Sequence, residues 1–281
     1  MDLPTQSLIP RSNSATFSGM RTLAAMRWGL VVVLASTTAI AADTGAEEPL
    51  VAALQRLAPA ANPRVLELAL QARDCASGQL GTAPPPRLAV IDYSLPSTTP
   101  RLWVFDLEDR SLLFNEYVAH GRGSGENMAS RFSNSDGSHA SSLGLFRTGE
   151  TYVGHNGYSL RMEGLEPGTN DAAMAREIVV HGASYVDPDF ARRQGRLGRS
   201  WGCPALRPAI APAVIDSLRN GQMIFAYYPD TDWLTHSPFI DCRFTGRVRR
   251  GLVNAADVSS TRPAAAGSTD CTETGDCSHE R

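Results

Sequence analysis

From Arg87 to Pro229 the chain is divided into short apolar runs, rich in β-branched and aromatic residues. That texture restricts the region to a sheet-built domain. "RLAVIDYSL" reads as one strand, and "RLWVFDLEDRSLLFNEYVAHG" as a hairpin turning at Glu108-Asp109-Arg110. "LFRTGETYVG", "YSLRMEGL", "EIVVHGA" and "QMIFAYYP" supply further strands, the last of them buried. One helix interrupts the series, with apolar spacing at Ile210, Val214 and Leu218 and a C-cap signal at Asn220-Gly221. The stretch from Gly121 to Gly144 is Gly-, Ser- and Asn-rich. Its length marks it as either functional or disordered; a functional loop here would line a cleft or act as a lid. The expected class is α+β: a β-rich mixed sandwich with an N-terminal helical segment and a helix after Cys203.

The flanks read differently. Leu50, Ala53, Leu54 and Leu57, then Val65, Leu66, Leu68 and Leu70 behind Pro63, predict two amphipathic helices. A Pro run in "GTAPPPR" separates them from the strands. Further upstream, Arg21 and Arg27 precede an apolar stretch from Trp28 to Ile40, and Ala39-Ile40-Ala41 has the small-x-small form of a signal-peptidase site. Met20 is the natural start of such a signal. Beyond Arg250 the chain is Ser, Thr, Ala, Gly and Asp with few large apolar residues. The predicted divisions are therefore a signal over 1–41, a helical segment and linker over 42–85, a strand-built main domain over 86–245 and a disordered tail over 246–281. The signal implies a periplasmic or secreted protein with no stable membrane span after cleavage; the alternative is an uncleaved anchor.

With 42% apolar residues the chain can bury a core, and a formal charge of -3 argues against a nucleic-acid binder. All 26 basic residues are Arg, which excludes a lysine base, a Schiff base and a P-loop. Five cysteines in an exported chain leave one unpaired. Cys271 with Cys277, and Cys75 with Cys242, would leave Cys203, although parity alone lets any of the five be the odd one.

The chemistry concentrates between Ile178 and Leu206. The run Ile178-Val179-Val180 ends in His181-Gly182, and Ser200-Trp201-Gly202-Cys203 follows a polar, Arg-rich loop, with Cys203 placed 22 positions after His181. A thiol nucleophile needs a base held in orientation. Among His120, His139, His155 and His181, the last is best placed, at the end of a buried strand. His236 and His279 lie outside the strand core. Cys203, followed by Pro204, reads as a loop-to-helix transition whose free N–H groups favour a thiolate. Gly202 leaves room for a substrate carbonyl, and Ser200 can bond within the turn. A zinc site built on His181, Cys203 and His155 lacks standard ligand spacing, so no metal or cofactor is expected. "GRGSGE" has no helix signal behind it and reads as a flexible or substrate-lining loop, not a phosphate cradle.

His181-Gly182 followed by Ser200-Trp201-Gly202-Cys203 resembles the catalytic signature of the YkuD-type murein L,D-transpeptidase catalytic-domain family, and "SSLGLFRT" is similar to the family's preceding strand. The likeness covers roughly residues 86 to 230. It implies that Cys203 is the nucleophile and His181 its base, oriented by a backbone carbonyl at Gly182. It also implies that the N–H groups of Gly202 and Cys203 form an oxyanion hole, worth roughly 3 kcal/mol per donor removed. The implied partners are peptidoglycan stem peptides: a tetrapeptide acylates Cys203, D-alanine leaves and an amine acceptor resolves the thioester. Water as acceptor would make a carboxypeptidase, and an unreactive Cys203 would leave a wall-binding module. Papain-like and NlpC-type peptidases place the Cys before the His, the reverse of the order here.

Three features depart from the family pattern. Trp201 stands where the family has His, Ala205 where it has Arg or Asn, and the His-to-Cys interval is longer. Arg199 or Arg207 is expected to supply the missing positive charge, with Trp201 and Tyr185 as further substrate contacts.

Overall fold

The computed structural model describes residues 48–240 and residue 242. The signal over 1–41, the tail over 246–281, the Cys271–Cys277 pairing and His279 lie outside the described residues.

Two helices open the described chain: α1 (Leu50–Leu57) and α2 (Pro63–Leu80). Asn62 caps α2 by accepting the Arg64 N–H, Pro63 sits in its first turn, and Gly81 ends it in the left-handed conformation. Leu66, Ala69 and Ala72 of α2 are buried in one core with Leu88 and Phe225 of the sheet. Cys75 is disulfide-linked to Cys242, which ties α2 to the far end of the described chain.

Eight strands form one mixed sheet. In chain order they are β1 (Arg87–Asp92), β2 (Leu102–Asp106), β3 (Ser111–Glu116), β4 (Gly144–Gly154), β5 (Gly157–Gly164), β6 (Val179–Gly182), β7 (Ala205–Leu206) and β8 (Met223–Tyr227). Across the sheet the order is β3-β2-β1-β8-β4-β5-β6-β7. β8 pairs parallel with β1 and antiparallel with β4, so the last strand among the described residues is central, which is why every residue from Met223 to Ala226 is buried. The expected α+β class holds, with the strands joined in this single sheet. The two edges approach each other: Ala119, just past β3, bridges to Ala205 of β7, bending the sheet toward a barrel.

Three more helices complete the unit: α3 (Pro188–Gln194), α4 (Ala211–Leu218) and α5 (Thr231–His236). α4 stops one residue before Asn220-Gly221. Both of those residues have positive φ, and their N–H groups pair with Gly149 and Thr148 of β4, making a turn in place of the expected cap. α5 follows the strand expected to be last. It is pinned by Trp233, whose indole N–H donates to the fully buried Glu166 carboxylate at 2.8 Å. No described helix is long and apolar enough to cross a membrane.

Candidate active site at the seam between the sheet edges

β6 and β7 run parallel with His181 opposite Ala205 and Gly182 opposite Leu206. Gly121 bridges Ser200, which brings the long Gly/Ser loop against the same edge. Gly202 has φ of 126°, and a Cβ there would lie 2.9 Å from the Ala140 carbonyl oxygen and 2.9 Å from Ile178 Cδ1. Only glycine fits. Ser141 locks the loop to this turn: its hydroxyl accepts the Gly121 N–H at 3.0 Å and donates to the Gly202 carbonyl at 3.0 Å. Ser200 locks the other side, donating to the Cys203 carbonyl at 2.6 Å and accepting the Gly202 N–H at 3.1 Å. The Gly202 N–H is therefore committed to Ser200, and of the expected oxyanion pair only the Cys203 N–H is left outside that bond.

Cys203 is the free cysteine among the described residues, and it is 8% exposed. Its sulfur accepts the Val179 N–H at 3.5 Å, and its thiol faces the Glu177 carbonyl at 3.7 Å. The expectation of a helix start here is corrected. Cys203 leads into β7, and α4 begins only at Ala211, so no helix N-terminus polarises the thiol. Burial instead pushes its pKa above the ordinary 9.0, opposed by the Val179 N–H and by Arg176.

Arg176 is the residue that sequence reasoning missed. Its guanidinium donates to the Ser133 carbonyl, the Ser142 hydroxyl, the Ala140 carbonyl and the Ser138 hydroxyl at 2.6–3.2 Å. It is a cation that acts on the charge of Cys203. The one signal in the sequence is a basic residue just before the apolar run that ends at His181.

His181 is 5% exposed and its Nδ1 lies 3.0 Å from the Gly182 carbonyl oxygen. A carbonyl only accepts, so the bond requires Nδ1–H and leaves the lone pair on Nε2. Burial lowers the imidazole pKa below 6.5, with the Gly182 bond opposing. Thiol and imidazole are thus both uncharged at rest near neutral pH.

The rim residues divide. Trp201 is 69% exposed and stacks on His139 with ring centroids 5.0 Å apart and planes within 6°. Tyr185 is half-buried and packs over Gly198, and burial above all pushes its phenol up to about 12. Arg199 donates to the Gly125 carbonyl and pairs with Glu126. Arg207 does not carry a free positive charge, contrary to expectation: it grips Glu116 with two bonds of 2.9 and 2.6 Å. The remaining histidines are apart from this pairing. His120 is fully buried with Nδ1 2.7 Å from Arg101 Nη2, His155 is exposed in the β4–β5 turn, and His236 ends α5.

A family model described as "L,D-transpeptidase catalytic domain" matches residues 57–227, more than half of the chain. No curated protein matches it. Among solved structures, an L,D-transpeptidase from Mycobacterium smegmatis is similar at 16% identity over 51% of this chain and 59% of that one, with a TM-score of 0.32. An L,D-transpeptidase from Mycobacterium tuberculosis H37Rv is similar at 13% identity over 52% and 60%, with a TM-score of 0.30. An L,D-transpeptidase (Yku) from Stackebrandtia nassauensis is similar at 14% over 64% and 89%, with a TM-score of 0.32. The chain spans about three fifths of the length of the two mycobacterial proteins.

Proposed function

Because the chain belongs to the L,D-transpeptidase catalytic-domain family, we propose that it is an exported cysteine acyltransferase acting on peptidoglycan stem peptides. Cys203 is the nucleophile and His181 the base. The observation that carries this reading is the tautomer of His181: Nδ1–H is held by the Gly182 carbonyl, so Nε2 is the basic nitrogen, on the strand alongside the free thiol.

The reaction then runs in two balanced halves. Cys203 Sγ attacks the carbonyl of the third stem residue while its proton passes to His181 Nε2. The C–N bond to the terminal D-residue breaks, and the imidazolium returns the proton to the leaving amine. In the second half an acceptor amine attacks the thioester, His181 takes its proton, and the C–S bond breaks to restore the thiol. The thioester conserves the energy of the broken amide bond, so no nucleotide is consumed. Two neutral groups suit this chemistry, because charge develops only as the sulfur attacks. The Cys203 N–H and Arg176 are the groups placed to offset it.

The test is product analysis on stem tetrapeptide with and without an amine-bearing acceptor peptide. A cross-linked product that appears with acceptor supports transpeptidation. Hydrolysis alone, unchanged by acceptor, assigns a carboxypeptidase. Binding to purified sacculi with neither product reduces the chain to a wall-binding module.

A further inference from the structure

The Gly/Ser loop that packs against Gly202 folds into an open cavity of about 350 Å³, lined by Arg122, Arg131, Arg199, Glu126, Ser124 and Ser130. Three arginines share this space with one acid. Glu126 pairs with Arg199 at 2.8 Å and with Arg196, also at 2.8 Å, so one carboxylate is divided between two guanidiniums. Arg122 and Arg131 have no carboxylate partner among the described residues. Arg131 spends its Nε on the Gly123 carbonyl, and Arg122 spends its Nε on His139 Nδ1. The terminal nitrogens of both remain as unfilled forks, which match a carboxylate in the bidentate manner. The wall is rigid where it must be: a Cβ on Gly123 would lie 2.2 Å from the Ser138 carbonyl oxygen.

The cavity is joined through Arg122 to the turn that leads to Cys203. The Arg122 N–H donates to the Ser200 carbonyl at 2.8 Å, and the Arg122 guanidinium lies 5.5 Å over the Trp201 ring. Trp201, His139 and Arg122 therefore form one stacked platform running from the residue before Gly202-Cys203 to the cavity mouth. A guanidinium over an indole face is attracted to the ring and held in place by it.

We propose that this cavity is a carboxylate-binding subsite for the peptide that reacts at Cys203, with Arg122 and Arg131 as its ligands and Trp201 as its rim. The inference rests on the acyltransferase reading for the identity of the peptide. The carboxylate can belong to the donor or to the acceptor strand, and the two have the same chemistry.

The test is calorimetric binding to the full-length Cys203→Ala protein of a stem tetrapeptide with free carboxylates and of the same peptide as carboxamides. The carboxylate form should bind at least tenfold more tightly, and the preference should shrink with salt. Arg122→Gln with Arg131→Gln should erase it in protein whose circular dichroism is unchanged. Glu126→Gln, which frees Arg199 and Arg196, should widen it, a gain that misfolding cannot imitate. Equal affinity for the two peptides, or a preference that survives the double Arg change, overturns the subsite. On the Cys203 protein, the double change should slow thioester formation if the carboxylate is the donor's. It should lower transfer relative to hydrolysis if the carboxylate is the acceptor's, and no change in either overturns the proposal. Binding needs no turnover, so a carboxylate preference without acylation leaves the subsite standing and removes the acyltransferase reading. Acylation without a preference does the reverse.

Discussion

Val179 donates its backbone N–H to the sulfur of Cys203 at 3.5 Å, and that bond sets the thiol level with the strand that ends in His181. Parallel pairing two residues further on, His181 with Ala205, continues the same register. The positions of Cys203 and His181 along these neighbouring segments are thus set by backbone pairing. Under the proposed function, backbone positioning of this kind keeps the pair in place without an entropy cost at the moment of reaction.

The charge states give a pH prediction. His181 is held below 6.5 and Cys203 above 9.0, so the neutral pair persists from below 6.5 to above 9.0. The rate of acylation should form a plateau across neutral pH, and its acid limb should fall below 6.5 as His181 takes up a proton. Stopped-time mass spectrometry across pH 4–10 reads this. An acid limb above 6.5 contradicts it. His181→Ala should cut the rate by roughly 10²- to 10⁴-fold and remove the acid limb.

Gly202→Ala is expected to fail locally. Its φ of 126° and the 2.9 Å approach to the Ala140 oxygen force either strain or a shift of the turn. The cost is about 1–3 kcal/mol, measured by denaturant unfolding. Acylation should drop with it, because the displaced turn carries Cys203. An unchanged midpoint and rate would show that the turn tolerates a side chain.

Stability should also depend on pH through His120. This fully buried ring accepts a bond from Arg101 and must be neutral to do so, and burial together with the Arg101 charge lowers its pKa to about 4. Between about 4 and 6.5 the unfolded chain binds the proton that the folded chain refuses. Stability is therefore present above 6.5 and lost as pH falls toward 4, by roughly 3 kcal/mol in all. His120→Gln, which keeps an acceptor for Arg101, should flatten that slope. A slope that persists places the linkage in other groups.

Much of the strand pattern was legible because period, β-branching and turn residues act locally. β2, β3, β4, β5 and β6 fall where alternation and punctuation put them. The central place of β8 was not legible, since its parallel pairing with β1 joins distant parts of the chain. Long-range pairing also hid the fate of Arg207, whose partner Glu116 lies 91 positions away. Arg176 escaped notice for the same reason: its acceptors belong to a loop whose path depends on Gly121, Gly123 and Ser141 meeting the Gly202 turn. The orientation of His181 by the Gly182 carbonyl was implied by the family resemblance and not by the residues alone. The neutral resting thiol could not, because it depends on burial, and the local signal, a Cys apparently near a helix start, pointed the other way.

The most direct measurement is intact mass spectrometry of the full chain after incubation with stem tetrapeptide. The account predicts a mass increase equal to the peptide less one free D-amino acid, localised to Cys203 by proteolysis and absent in Cys203→Ala. An unmodified wild-type protein, or the same adduct on Cys203→Ala, would contradict it.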